Sequence, residues 1–220
     1  MTARLLETVP NFSEGRDSRV IAEIVEAMRG SGADVLDVSA DADHHRAVVT
    51  AVGSPAVVEA AAVAGARVAV KRIDLRRHAG VHPRIGAVDV VPFVPLCGLS
   101  MDDASASARR VGERLAREVG LPVFFYGAAS EPPGRRLAEL RRGGYETLVQ
   151  NWPADRRPDV QPADWPHRGA HPSAGAVCVG ARKLLLASLA AFAAETLPPR
   201  GPRAARQGVD QLRADDHRAG

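Results

Sequence analysis

"ADVLDVSADADHHRAVVTAVGSP", residues 33–55, is the stretch whose reading decides the fold. Two runs rich in valine and alanine, 33–38 and 46–52, have strand composition, and the polar loop 39–45 between them reads as a hairpin-like connection. Ser54 and Pro55 then supply an N-cap and a first-turn proline for a helix. That helix runs through the nearly continuous apolar segment "PAVVEAAAVAGARVAV" (55–70), so it should be buried on most sides.

Working outward, "RLLETVP" (4–10) reads as a first strand ending at Pro10. Val20, Ile21, Ile24, Val25 and Met28 follow helical spacing, and Gly30 and Gly32 stop that helix. Downstream, "AVDVVPFVPL" (87–96) is strand-like. A third helix begins near Met101 with Ala104, Ala108, Val111, Leu115 and Val119 on one face. "LPVFFYG" (121–127) is another strand, and "PPGRRLAELRRG" (132–143) a short basic helix. Residues 150–175 form a long loop, and "GAVCVGARKLLLA" (175–187) resumes as strand or strand-to-helix. The order gives an α/β (α+β) fold, a split βαβ or ferredoxin-like pattern whose mixed sheet carries helices on one face. Residues 1–187 are read as one domain, and 188–220 as an alanine-rich segment followed by a disordered tail.

Composition narrows the function classes. The chain of 220 residues is 45% hydrophobic with a net charge of +3, which suits a packed globular protein. Arginine far outnumbers lysine, but no basic stripe with interleaved aromatics marks nucleic-acid binding. An arginine excess equally fits small anionic ligands, because the guanidinium fork matches carboxylates. Cys97 and Cys178 have no paired spacing, which argues against a disulfide scaffold or zinc cluster and fits a cytoplasmic protein. Neither a signal peptide nor a membrane-spanning run is read in it.

"HAGVHPRIGAVDVV" (78–91) puts His78 and His82 four apart. A metal pair at that spacing needs a helix and usually an acid between the ligands, whereas Gly80, Pro83 and Gly86 oppose a helix and Val81 holds the acid's place. Two readings remain beside it: loop histidines without chemistry, and one histidine serving as general acid–base. Asp41, Asp43, His44, His45 and Arg46 form a polar turn that on its own is structural. "VPNFSEGRD" (9–17) is on its own an ordinary strand-to-helix loop, and "HPSAGAVCVGARK" (171–183) has small residues where a backbone can approach a flat ligand.

Taken in order, "VPNFSEGRD", "DADHHRAVVTAVG", "HAGVHPRIGAVDVVPFVPL", "LPVFFYG", "RRLAELRRGGYE" and "ADWPHRGAHPSAGAVCVGARK" resemble the N-terminal subdomain of the glutamate formimidoyltransferase family over residues 5–187. The resemblance implies transfer of a formimino group from N-formimino-L-glutamate to tetrahydrofolate, in histidine breakdown. It also implies two subdomains whose sheets face each other across a folate groove, in a dimer. His82, in the motif HPR-x-G, is then the catalytic general acid–base. Asn11, Asp41, Asp43, Arg46 and Arg84 become substrate- or folate-binding candidates, together with Gly169, Ala170, His171, Pro172, Ser173, Ala174 and Gly175. Tetrahydrofolate is a co-substrate, and no metal, nucleic acid or membrane partner is implied.

Val81 stands where the family usually has glutamate, His45 where asparagine commonly precedes the arginine, and His167 where an acid is common. The family's second subdomain is not read after "ARK", so a homodimer or a separately encoded second subdomain is expected to complete the cleft. A non-catalytic folate-binding or subunit-like module is the alternative.

Overall fold

The structure, a computed structural model, describes residues 4–81 and 83–183. His82, the expected catalytic residue, and the whole expected tail 188–220 lie outside the described residues. The chain order is β1 (Leu6–Thr8), β2 (Asn11–Phe12), α1 (Ser18–Arg29), β3 (Asp34–Asp41), β4 (Arg46–Gly53) and α2 (Pro55–Arg72). Then follow β5 (Val88–Pro95), α3 (Met101–Arg114), β6 (Val123–Gly127), α4 (Leu137–Leu140), α5 (Gly144–Gln150) and β7 (Val177–Ala181).

The hairpin expected from residues 33–55 forms as β3 and β4, antiparallel, with Asp41 opposite Arg46 at its tip. β1 and β2 are two halves of one central strand, each antiparallel to both β4 and β5. The sheet therefore runs β3, β4, β1/β2, β5, β7, β6, with the last three parallel. Its first four positions have the ferredoxin-like arrangement, and α3 with β6 and β7 extends the sheet beyond it. Pro10 does not end the first strand as expected. It lacks an N–H and so interrupts the ladder, but its carbonyl accepts from Val49 N at 3.1 Å and the strand resumes at Asn11.

α1 buries the five apolar side chains its spacing marked, and the Asp17 carboxylate caps it by accepting from Arg19 N and Val20 N. Pro55 opens α2 as read, but the Ser54 side chain makes no capping bond. α3 passes into a π turn at Leu115–Val119, so Leu115 stays buried while Val119 is only partly covered. The apolar faces of α1, α2 and α3 pack with one side of the sheet in the main core, around Phe12, Met28, Val49 and Phe93.

The opposite side of the sheet is treated in two ways. Over β5, β7 and β6 a second core of Ile85, Val90, Phe124, Leu140, Leu148, Trp152 and Cys178 is closed by α4, α5 and the stretch after them. The sequence reading had only one short helix there and missed α5. The long segment 151–176 has almost no regular structure, yet it is fastened. Val123 N donates to the Val160 carbonyl at 2.8 Å, Trp152 N to Arg168 at 3.1 Å, and Ala170 N to Leu148 at 2.7 Å. Over β3, β4 and β1 no helix among the described residues packs on that same side, which presents Glu7, Asp37, Ser39, Thr50 and Val52 by strand alternation.

One backbone crossing organises the end of the sheet. Gly86 and Gly175 form an antiparallel bridge, with Ala176 N donating to the Ile85 carbonyl at 2.8 Å and Ala87 N to that of Ala174 at 2.9 Å. A Cβ on Gly86 would sit 2.0 Å from the Ala176 oxygen, and one on Gly175 1.9 Å from that of Ile85. Gly175 also has φ +71°, in the left-handed region. Gly120, at φ +78°, shares that backbone conformation but has open space around it. Gly120→Ala should therefore cost ~1 kcal/mol, the conformational penalty alone. Gly175→Ala should cost at least ~3 kcal/mol because backbone must also move. Urea denaturation of the two variants measures the difference; equal losses would contradict the crossing.

Candidate active site

Every segment flagged from the sequence arrives at one end of the sheet, and the strand directions explain why. β5 and β7 begin there, β2 and β3 end there, and β4 begins there. The β2–α1 turn (13–17), the β3–β4 turn (42–45), the loop before β5 and the loop before β7 are thus neighbours.

The loop before β5 is held on both sides of residue 82. Val81 N lies 3.4 Å from the Asp43 carbonyl, and Ile85 N donates to Asp89 at 2.7 Å. The Arg84 carbonyl accepts from Tyr145 N at 2.9 Å, and the Ser13 hydroxyl donates to the Gly86 carbonyl at 2.7 Å. The Arg84 guanidinium, 11% exposed, donates to Glu146 at 2.8 Å and to the His78 carbonyl at 3.2 Å, and lies 6.0 Å from the Tyr145 ring centroid. Asp89 is buried and ion-paired with Arg141; burial nevertheless pushes its carboxyl above the usual range. α4 and α5 therefore support this loop through Arg141, Tyr145 and Glu146.

His78 and His45 form one wall of an open cleft of about 240 Å³, with Ser13, Glu14, Asp74 and Arg77 also lining it. Their ring centroids lie 4.2 Å apart with the planes tilted by 39°, and His78 Nε2 contacts the His45 carbonyl at 3.0 Å. Since a carbonyl only accepts, His78 carries its hydrogen on Nε2 when neutral, and its buried Nδ1 has no partner among the described residues. His78 has extended backbone (φ −84°, ψ 127°), so the helix a metal pair would need is absent there. His45 Nδ1 accepts from Gly15 N at 3.2 Å and lies 3.5 Å from the Glu14 carboxylate. Burial lowers the pKa of both imidazoles. His45 has φ +50°, a conformation that asparagine and histidine tolerate better than most residues. This explains why the turn accepts histidine where the resemblance expects asparagine.

Asp41 caps the hairpin turn, accepting from Asp43 N at 2.9 Å and His44 N at 2.8 Å, with the His44 ring 2.9 Å away. These hydrogen bonds hold its carboxyl below the usual range. Asn11 pairs with Val48 in β4, two residues from Arg46, so Asn11 and Arg46 are diagonal neighbours on the side of the sheet opposite the long helices. The loop of Gly169, Ala170, His171, Pro172, Ser173, Ala174 and Gly175 is closed by reciprocal bonds of 2.9 Å between His171 and Gly175. His171 Nδ1 accepts from Ser173 N at 3.3 Å and Ala174 N at 3.1 Å. The loop is tied to its neighbours by Leu75 N, donating to the Ser173 carbonyl at 2.8 Å, and by the Tyr145 hydroxyl, bonded to the Pro172 carbonyl. Trp165, His167 and His171 form a ring cluster beside it, with Trp165 and His167 edge-on at 5.0 Å.

The expected residues thus fall into three groups, Asn11 and Arg46 on the sheet, Arg84 with 169–175 in the loops, and Asp41 with Asp43 at the hairpin tip. Sequence reasoning missed Asp74 and Arg77 as cleft residues and Asp89 as the anchor of the loop. An aspartate inside the apolar strand "AVDVV" was the available signal for Asp89, since a buried carboxylate needs a partner. Among the described residues there is no group of three or more histidine, cysteine or acidic side chains placed to hold a metal, and no helix long and apolar enough to cross a membrane.

Residues 5–182 match the family model of the formiminotransferase domain, N-terminal subdomain. The chain is similar to formimidoyltransferase-cyclodeaminase of Rattus norvegicus, at 43% identity over 188 residues, covering 84% of this chain and 34% of the relative. It is also similar to glutamate formimidoyltransferase of Streptococcus pyogenes serotype M1, at 38% over 187 residues, covering 84% of this chain and 61% of the relative. Against the glutamate formimidoyltransferase of Thermoplasma acidophilum the identity is 39% over 188 residues, covering 83% and 60%. The chain therefore spans about a third of the first relative's length and about three-fifths of the other two.

The geometry at His171 makes a pH prediction. Its Nδ1 serves as acceptor and burial lowers its pKa from 6.5, so it should titrate below that value with its hydrogen on Nε2. A folded-state pKa below the unfolded one contributes stability that is complete above the unfolded value and is lost as pH falls through the folded one. Long-range ¹⁵N–¹H NMR of the imidazole reads both tautomer and titration. A hydrogen on Nδ1, or a pKa above 6.5, would contradict the loop geometry.

Proposed function

We propose that this chain, which belongs to the formiminotransferase N-terminal-subdomain family, moves a formimino group from N-formimino-L-glutamate to tetrahydrofolate, with His82 as the general acid–base. The observation that carries this reading is the clamping of the loop on both sides of residue 82, through Val81, Arg84, Ile85 and Gly86. A proton shuttle gains from a fixed backbone, because a small misplacement of the transferring nitrogen is costly in rate.

The chemistry asks for one proton to travel. The secondary amine that tetrahydrofolate supplies attacks the amidine carbon of the donor and forms a tetrahedral centre. The imidazole of His82 takes the proton from the attacking nitrogen and returns it to the glutamate nitrogen, which then leaves as the amine of free glutamate. Bond formed, bond broken and proton balance without an oxidant or a metal. An imidazole suits both halves because its pKa lies near neutrality. Arg46 at the head of β4 and Arg84 in the clamped loop are assigned to ligand carboxylates, Arg84 by exchanging Glu146 for the ligand.

The loop 169–175 fits a flat heterocycle on two counts. It is built largely of glycine, alanine and serine, and it sits beside the Trp165, His167 and His171 rings. Asn11, on the sheet, supplies an amide within the same reading. The half of the sheet over β3, β4 and β1, on which no helix among the described residues packs, is assigned to a second subdomain, contributed by a second copy or by another polypeptide segment. The compartment that suits this chemistry and the free cysteines is the cytoplasm.

Spectroscopic assay of formimino transfer with the purified chain, alone and together with a formimidoyltransferase-like second subdomain, tests the proposal. His82→Ala should lower transfer by about 10²–10⁴-fold while leaving tetrahydrofolate binding in place. Turnover unchanged by that substitution would refute His82 as the shuttle. Transfer activity absent in both settings, with folate still bound, would favour a binding module.

A further inference from the structure

The cleft beside His45 and His78 holds six charged or titratable side chains, and their pairing singles out two. Asp74 is satisfied by Arg76 at 2.7 and 2.9 Å, and this pairing holds its carboxyl at about 2. Arg72 is paired with Glu23 at 3.2 Å. The two imidazoles contact each other, the His45 carbonyl and Gly15 N. Glu14 uses only Oε1, which accepts from Arg16 N at 2.8 Å and Asp17 N at 3.0 Å and faces His45 at 3.5 Å; Oε2 has no partner among the described residues although the side chain is only 13% exposed. The Arg77 guanidinium, at the lip, has no hydrogen bond or ion pair among the described residues. One anion and one cation are therefore left over in the same cleft.

At about 240 Å³ the cleft falls below the range of about 300–1,000 Å³ found for drug-sized ligands. It suits a molecule the size of a single modified amino acid and is too small for a folate. Its imidazole wall, two rings with centroids 4.2 Å apart and planes tilted by 39°, gives a planar ligand group a ring face to rest against.

We propose that this cleft is the subsite for the amidine-bearing donor, with Arg77 holding a carboxylate and Glu14 holding the cationic amidine. The assignment rests on the formimino-transfer reading above and adds to it the residues that choose the donor. A protonated amidine is planar and carries N–H donors suited to a carboxylate, as a guanidinium does. A neutral formyl amide of the same size offers Glu14 no charge. The pair Arg77 and Glu14 therefore discriminates by charge and not by shape.

The test is isothermal titration of the full chain with N-formimino-L-glutamate and, in parallel, N-formyl-L-glutamate, which keeps both carboxylates and lacks the cation. The chain should bind the formimino compound more tightly than the formyl one. Arg77→Gln should weaken both by about tenfold, the loss of one charge-assisted contact. Glu14→Gln should weaken only the formimino compound and close the gap between the two. Gln retains an oxygen for Arg16 N and Asp17 N, and Arg77 is exposed, so both variants should melt with the parent chain. Arg77→Lys should restore part of the affinity for both ligands. Unchanged affinities in both variants, or equal losses for both ligands in Glu14→Gln, would overturn the subsite. If tetrahydrofolate still binds in those samples, the function proposed above stands. A parent chain that binds neither the donor nor tetrahydrofolate would overturn both.

Discussion

Two glycines meeting backbone to backbone, Gly86 and Gly175, fix the end of the sheet on which the site is built. Their bridge joins the loop entering β5 to the loop entering β7, two segments about ninety positions apart in the chain. Because neither position has room for a Cβ, the contact brings main-chain hydrogen bonds to the neighbouring residues Ile85, Ala87, Ala174 and Ala176. Ser13 then joins the same crossing through the carbonyls of Gly86 and Ala87, which brings in the β2–α1 turn. Three loops are thereby held by backbone geometry, and side chains are left over for chemistry.

Charge is arranged in three places around that crossing. Below it, the buried Asp89 binds Ile85 N and Arg141, and a carboxylate in such a place is tolerable only with these partners. Beside it, Arg84 is locked to Glu146 and the His78 carbonyl, so α5 acts as a buttress for the loop. Above it, in the open cleft, most charges are paired, whereas Glu14 Oε2 and the Arg77 guanidinium have no partner among the described residues. Structural ion pairs hold the loops in position, and the unpaired groups lie where a small ligand has access.

Much of this was legible in the sequence because local physics agreed with the global fold. The two valine-rich runs of residues 33–55 became the β3–β4 hairpin, and the spacing of Val20, Ile21, Ile24, Val25 and Met28 became the buried face of α1. Pro10 misled because a missing N–H interrupts a ladder without ending a strand. α5 was missed because its start, Gly143 and Gly144, reads as a helix stop, and both glycines instead have positive φ at its N-terminal end. The motif around residues 82–86 and the small-residue loop 169–175 were legible as motifs. Their joining through Gly86 and Gly175 was not, since a glycine in a sequence does not announce which distant backbone it touches. Arg77 and Asp74 were illegible for a different reason. In a chain this rich in arginine, whether a given charge is free or paired is decided by neighbours far away in sequence.

The central claim is that loops from distant parts of the chain form one ligand-binding end of the sheet. A ¹H–¹⁵N correlation spectrum of the purified chain, titrated with tetrahydrofolate, tests it most directly. The account predicts shifts gathered at Asn11, Arg46, Arg84 and the non-proline residues of 169–175, with the outer surfaces of α1 and α3 unmoved. Shifts confined to those helices, or none at saturating ligand, would contradict it.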